Sequence, residues 1–236
     1  MKKLLLGTLL AGAAALAQAQ AITPVYTTFG TLAGATFGGI GIPNTAVAIT
    51  TIPNATNDVI LGLTAHTRFD ALPVTTNNSA GAFFTQSGVD GNAPSPADPY
   101  AEWNVGFYIA GNLNPYNIFF VYDFDPAAGN AQSTHGMGFC FTCSGSADLE
   151  QGSYNMGMDF LSAPVPGVLT PPSPVSTFNP SANGTYTFAL IAYSKTTNLE
   201  VGRSAISVTA VPELGTYAMM LAGLAAVAGL VRRRAR

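Results

Sequence analysis

Several segments between residues 22 and 210 alternate apolar and polar residues with a period of two, and none carries a long helical stripe. Successive side chains of an extended backbone point to opposite faces, so this period predicts strands that bury one face. Trp103, Val105, Phe107 and Ile109 form one such set; Tyr186, Phe188, Leu190 and Ala192 form another. Tyr154, Met156, Met158 and Phe160 predict a third, and Ile206 with Val208 a fourth. Further β-rich runs lie at 46–52, 59–64, 83–85 and 118–124. The last is apolar on both faces and reads as a central strand.

Turn residues punctuate these runs: Pro53-Asn54, Asp90-Gly91-Asn92, the stretch 112–115, Ala128-Gly129-Asn130 and Asn183-Gly184. Many short strands with such punctuation predict an all-β fold, an antiparallel β-sandwich of jelly-roll type. A parallel α/β fold is disfavoured, because amphipathic crossover helices are missing. The proline-rich stretches 90–99 and 162–182 cannot supply a ladder of backbone donors and read as surface loops. Residues 185–194 and 204–210 then return as two strands that complete a sheet, so 22–210 is expected to be one domain.

Charge is scarce and segregated. Charged residues make up 9% of the chain, against about 25% in a typical soluble domain. Residues 22–210 hold three bases, Arg68, Lys195 and Arg203, against eleven acids. An acidic body is a poor partner for phosphates, so nucleic-acid binding is excluded. The remaining bases sit at the ends. Lys2 and Lys3 precede an apolar stretch from Leu4 to Leu16, followed by Ala17-Gln18-Ala19 and Ala19-Gln20-Ala21. This is the pattern of a cleavable secretory signal over 1–21, which engages the Sec translocon and signal peptidase. An uncleaved anchor is the alternative, but the apolar stretch is short for a span.

At the other end, Leu214 to Val231 carries no charge and is followed by Arg232, Arg233, Arg234 and Arg236. Such a run, as helix, rises about 27 Å and just crosses a bilayer core of about 30 Å. The arginines stop transfer and keep the C-terminus cytoplasmic. A buried C-terminal helix is the alternative, and it leaves the arginine cluster unexplained. The segment 211–236 resembles the PEP-CTERM sorting signal of Gram-negative bacteria, a tail also labelled an ice-binding protein C-terminal domain. The resemblance rests on Val211, Pro212, Glu213, Gly215, Thr216, Tyr217, Ala218, Gly223, Leu224 and the cluster Arg232, Arg233 and Arg234. Leu214 stands where the family usually has a second proline.

This resemblance implies processing by an exosortase, a membrane-embedded peptidase or transpeptidase. It implies a precursor held transiently in the inner membrane and a mature form at the cell surface or in the extracellular matrix, often alongside exopolysaccharide. Val211, Pro212 and Glu213 would be the recognition motif. Pro212 lacks a backbone N–H and keeps Val211 extended, a shape a peptidase can grip. The runs TFGTLAGATFGGIGIPNTAVAIT, FVYDFDP and THG resemble small PEP-CTERM proteins whose bodies have no assigned activity.

Several chemistries remain open for the body. Cys140 and Cys143 are the only cysteines, in Phe-Cys-Phe-Thr-Cys before Ser144-Gly145-Ser146. That reads as a tight hairpin turn stapled by a local disulfide, with free thiols as the alternative. A redox pair would instead open a helix after a strand. Zinc would have to combine these cysteines with His135 and His66, without a second cysteine pair. Asp123 and Asp125, at strand spacing, would lie on one face about 7 Å apart. With Asn130 or backbone carbonyls they are a candidate calcium site, although Pro126-Ala127-Ala128 breaks any EF-hand pattern. Asp148 and Glu150 repeat the spacing. The bland reading of Asp125-Pro126 is a solvated strand end opening a turn.

The leading expectation is a non-enzymatic exported body. A carbohydrate- or exopolysaccharide-binding module using exposed Tyr and Asn, with calcium support, is the alternative. A hydrolase using an Asp pair is the third. No Gly-x-Ser-x-Gly, His-Glu-x-x-His or P-loop supports catalysis. No threonine repeat of fixed period supports ice binding.

Overall fold

The computed structural model describes residues 20–68, 74–93, 99–143 and 148–212. Most of the expected leader lies outside them, as do Glu213, the apolar run and Arg232, Arg233 and Arg234. Among the described residues no helix is long and apolar enough to cross a membrane.

Eleven strands form among these residues: β1 Thr28–Gly30, β2 Val47–Ile52, β3 Val59–His66, β4 Thr76–Asn77, β5 Ala82–Gln86, β6 Asn104–Ala110, β7 Tyr116–Tyr122, β8 Gly136–Cys140, β9 Leu149–Tyr154, β10 Gly184–Ser194 and β11 Glu200–Val211. They build two sheets. The first runs β1-β2-β3-β6-β9 and the second β4-β5-β11-β10-β7-β8. The period-two sets explain how the sheets meet. Leu61 and Leu63 of β3 and Val105, Phe107 and Ile109 of β6 point inward from the first sheet. Ile118, Phe120 and Tyr122 of β7, Phe188 and Leu190 of β10 and Ile206 and Val208 of β11 meet them from the second. Trp103, fully buried, packs its ring against Phe178, Tyr186 and Phe188 at centroid distances of 5.8–5.9 Å. The fold is therefore an all-β sandwich around one core, with β7 interior to its sheet.

Four expectations are corrected. The second sheet is mixed, because β5 pairs β11 in parallel. The path is dominated by hairpin neighbours, β1-β2-β3, β4-β5, β7-β8 and β10-β11. It is not the eight-stranded double Greek key of a jelly roll. The predicted strand 154–160 stops at Tyr154. There the buried Asn155 takes over the backbone: its Oδ1 accepts from Gly157 N and Ala101 N, and its Nδ2 donates to Ala101 O and Trp103 O. A side chain that out-competes the ladder for backbone partners ends a strand. Finally, the Cys140 turn does not close a hairpin, since β8 belongs to the second sheet and β9 to the first.

Both outer faces are partly covered. Phe37 and Ala35, from the glycine-rich stretch after β1, lie over the first sheet beside Val47 and Tyr108. Phe37 rests on Gly106, where a Cβ would come within 2.9 Å of its ring. Ile22 covers Val121, Ala189, Ile191 and Ala205 on the second sheet. β8 and β9 are each the last strand of their sheet. The outer side of β8 is bridged at Met137, which exchanges backbone hydrogen bonds with Thr170.

Candidate functional site

Asp123 and Asp125 do not sit at strand spacing, because β7 ends at Tyr122. They open a turn instead. Asp123 Oδ1 accepts from Asp125 N at 3.0 Å, and its Oδ2 accepts from Asn130 Nδ2 at 3.1 Å. Asp125 Oδ1 accepts from Ala127 N. His135 Nε2 stands 3.6 Å from Asp123 Oδ2. The partners of Asp123 are thus N–H donors, whereas calcium is surrounded by oxygens. Burial pushes the Asp123 carboxyl above its usual range, against the opposing pull of His135 and Asn130.

The cluster of Asp123, His135 and Thr187 holds the elements of a charge relay without its wiring. His135 Nδ1 faces the Ala131 carbonyl at 2.9 Å, so that nitrogen carries hydrogen. Thr187 Oγ1, at 2.6 Å, and Asp123 both converge on Nε2. A relay needs the acid on one ring nitrogen and the hydroxyl on the other. The arrangement ties the 123–135 segment to β10.

Cys140 and Cys143 are joined in a disulfide, with Cα atoms 5.3 Å apart. Sulfurs bonded to each other cannot act as thiolate ligands, and among the described residues no three His, Cys, Asp or Glu gather as a metal site. The disulfide closes a local distortion. In the β7–β8 register Phe120 faces Gly138 while Phe119 faces Cys140, which leaves Phe139 as an inserted residue. Its φ of 24° is in the region that side chains avoid. Without this bulge Phe139 would share the outer face with Met137. With it, the ring turns inward, 6.3 Å from Tyr154 and 5.6 Å from Phe160. Phe141, beyond the disulfide's first cysteine, lies 4.8 Å from Phe107.

Phe107, Phe139, Phe141 and Tyr154 line an open groove of about 500 Å³ between β8 and β9, together with Arg68, Glu150 and Gln151. Gln151 is oriented by its surroundings. Its Oε1 accepts from Thr36 N at 2.8 Å and Phe37 N at 3.0 Å, so Nε2 is left as the donor end. Burial, reinforced by Glu150, pushes the Tyr154 hydroxyl up to about 12, which keeps it a neutral donor. Ser153 continues the lining toward a buried chain: Asn155 Nδ2 donates to Asn104 Oδ1, Asn104 Nδ2 donates to Ser153 Oγ, and Ser153 Oγ lies 3.0 Å from His66 Nε2. His66 is buried beneath Phe37, and its Nδ1 has no hydrogen-bond partner. Burial, aided by Arg68, holds its pKa down at about 4.

Sequence reading did not single out Phe139, Phe141, Tyr154, Arg68 and Gln151 as one site. The flanking of Cys140 by two phenylalanines was the available signal. Of the expected recognition residues, Val211 ends β11, paired with Gln86, and Pro212 is the next residue. The Val211 carbonyl accepts from both Ser87 N and Ser87 Oγ, at 2.8 and 3.2 Å. Glu213, Arg232, Arg233 and Arg234 lie outside the described residues. No protein-family model, curated protein or solved structure matches this chain.

Proposed function

We propose that this chain is an exported, non-enzymatic β-sandwich protein of a Gram-negative cell surface or extracellular matrix, sorted through its C-terminal tail. In this reading the leader sends it through the Sec translocon and is removed by signal peptidase. The run from Leu214 to Val231 holds the precursor in the inner membrane, and an exosortase processes the segment around Val211, Pro212 and Glu213.

The observation that carries the reading is the end of β11, the last strand among the described residues. β11 is paired up to Val211, and Pro212, which has no N–H to donate, comes immediately after it. The proposed recognition segment, Val211 to Glu213, would begin at the last residue of β11. Every side chain of the described core lies upstream of it, the last being Ala210. The Cys140 to Cys143 disulfide supports residence in an oxidising compartment.

The test is replacement of Arg232, Arg233 and Arg234 by neutral residues in the native host. Impaired retention or processing of the precursor is expected. A variant that matures and localises like the wild type overturns the sorting reading.

A further inference from the structure

We propose that the groove between β8 and β9 binds an uncharged oligosaccharide chain. The proposal stands independently of the sorting reading. It begins with the backbone. The bulge at Phe139 inserts a residue at an unfavourable φ and turns an aromatic ring out of its expected face. Bulges redirect side chains, and strained residues persist only where neighbours enforce them. The disulfide at Cys140 lies next to the bulge. Phe139 and Phe141, on either side of Cys140, line the same groove as Tyr154.

Aromatic planes suit the apolar C–H faces of sugar rings, and hydroxyls around the ring need donors and acceptors together. The lining residues include both kinds of group: Gln151, whose Nε2 is a donor, Tyr154 with its hydroxyl, and Glu150 with its carboxylate, beside Arg68. Arg68 and Glu150 balance one another in charge. The surrounding body is strongly acidic, with three bases to eleven acids over 22–210. A polyanion would be repelled, and nothing in the groove selects a cation. A volume of about 500 Å³ falls within the range of ligand sites, and an open groove along two strand edges suits a chain better than a lone small molecule. Gln151 is already oriented by Thr36 and Phe37, so part of the ordering cost of binding is met beforehand.

The test uses the full chain, solubilised in a detergent without a sugar headgroup. Cellohexaose, mannohexaose and hexa-N-acetylchitohexaose are titrated by calorimetry up to about 10 mM. At least one is expected to bind. Phe141→Ala should weaken that binding about tenfold or more, as loss of an aromatic anchor does. Phe141→Leu, which keeps bulk beside Phe107 but removes the ring, should weaken it in the same direction. Native emission from buried Trp103 shows that each variant is folded. Phe84→Ala, at an exposed ring on β5, should leave binding unchanged. The proposal is overturned if none of the three sugars binds. It is equally overturned if binding survives folded Phe141→Leu with Tyr154→Ala, or if oligogalacturonate, a polyanion, binds more tightly than the neutral sugars.

Discussion

His66 makes stability depend on pH with a sign that can be worked out. It is buried, and its pKa falls from 6.5 to about 4 because burial, and then the charge of Arg68, disfavour the imidazolium. In the unfolded chain the same histidine titrates near its ordinary value. Below that value the unfolded state takes up a proton that the folded state refuses. The folded state is therefore favoured at neutral pH, and this advantage is lost as pH falls from about 6.5 toward about 4. The loss is about 1.4 kcal/mol per pH unit, or about 2 kcal/mol between roughly pH 7 and pH 5. Asp123 works in the opposite direction, since a carboxyl with a raised pKa favours the folded state as pH falls. The assay must therefore be differential. Urea unfolding of the wild type and His66→Gln is monitored through Trp103, the only tryptophan, which is fully buried. Glutamine can still meet Ser153 but does not titrate. The gap between the two stabilities should change by about 2 kcal/mol over that interval, in the direction that disfavours the wild type at acid pH. Parallel curves would refute the assignment, because His66 would then titrate alike in both states.

Two further outcomes concern buried partners. Asn155→Ala strands the Ala101 and Gly157 amides and the Asn104 side chain at a site with no solvent exposure. It should cost about 3 kcal/mol in urea unfolding, and a loss below about 1 kcal/mol would contradict the role given to this network. The disulfide closes so short a loop that Cys140→Ser with Cys143→Ser should lose no more than about 2 kcal/mol. Mass spectrometry of the unreduced protein should find the two cysteines linked; two freely alkylated thiols would contradict the bridge.

Strands whose pattern records a single buried face are legible in the sequence. β6 carries Val105, Phe107 and Ile109 at alternate positions facing the core, β10 does the same with Tyr186, Phe188 and Leu190 although Ile22 also covers its other face, and β3 and β7 are marked by β-branched and aromatic content. The short strands β1 and β4 are not legible, since three and two residues are too few to show a period. β8 is hidden for another reason. Gly136 and Gly138 fill its inward positions, where the Tyr122 ring leaves no room for a Cβ at Gly136. The pattern of an apolar face is thus missing although the face is buried. The apparent strand 154–160 misleads because alternation cannot register that Asn155 has better partners in Ala101 and Trp103 than in a ladder.

The groove is illegible for a deeper reason of the same kind. Strict alternation assigns Phe139 to the face of Met137, and only the register against β7 reveals the inserted residue. Local rules therefore fail at the point where the chain gathers Phe139, Phe141 and Tyr154. The departure from the pattern is accompanied by a covalent bridge at Cys140. Phe139 facing outward, as period two demands, would be withdrawn from the edge of the core it packs against. What would be lost is the ring placed between Tyr154 and Phe160 at the open edge. Departures from local consistency concentrate where a protein does something besides fold, and this one coincides with half-buried rings that line an open groove. That coincidence favours the β8–β9 edge, over the buried Asp123 turn, as the working face of the molecule.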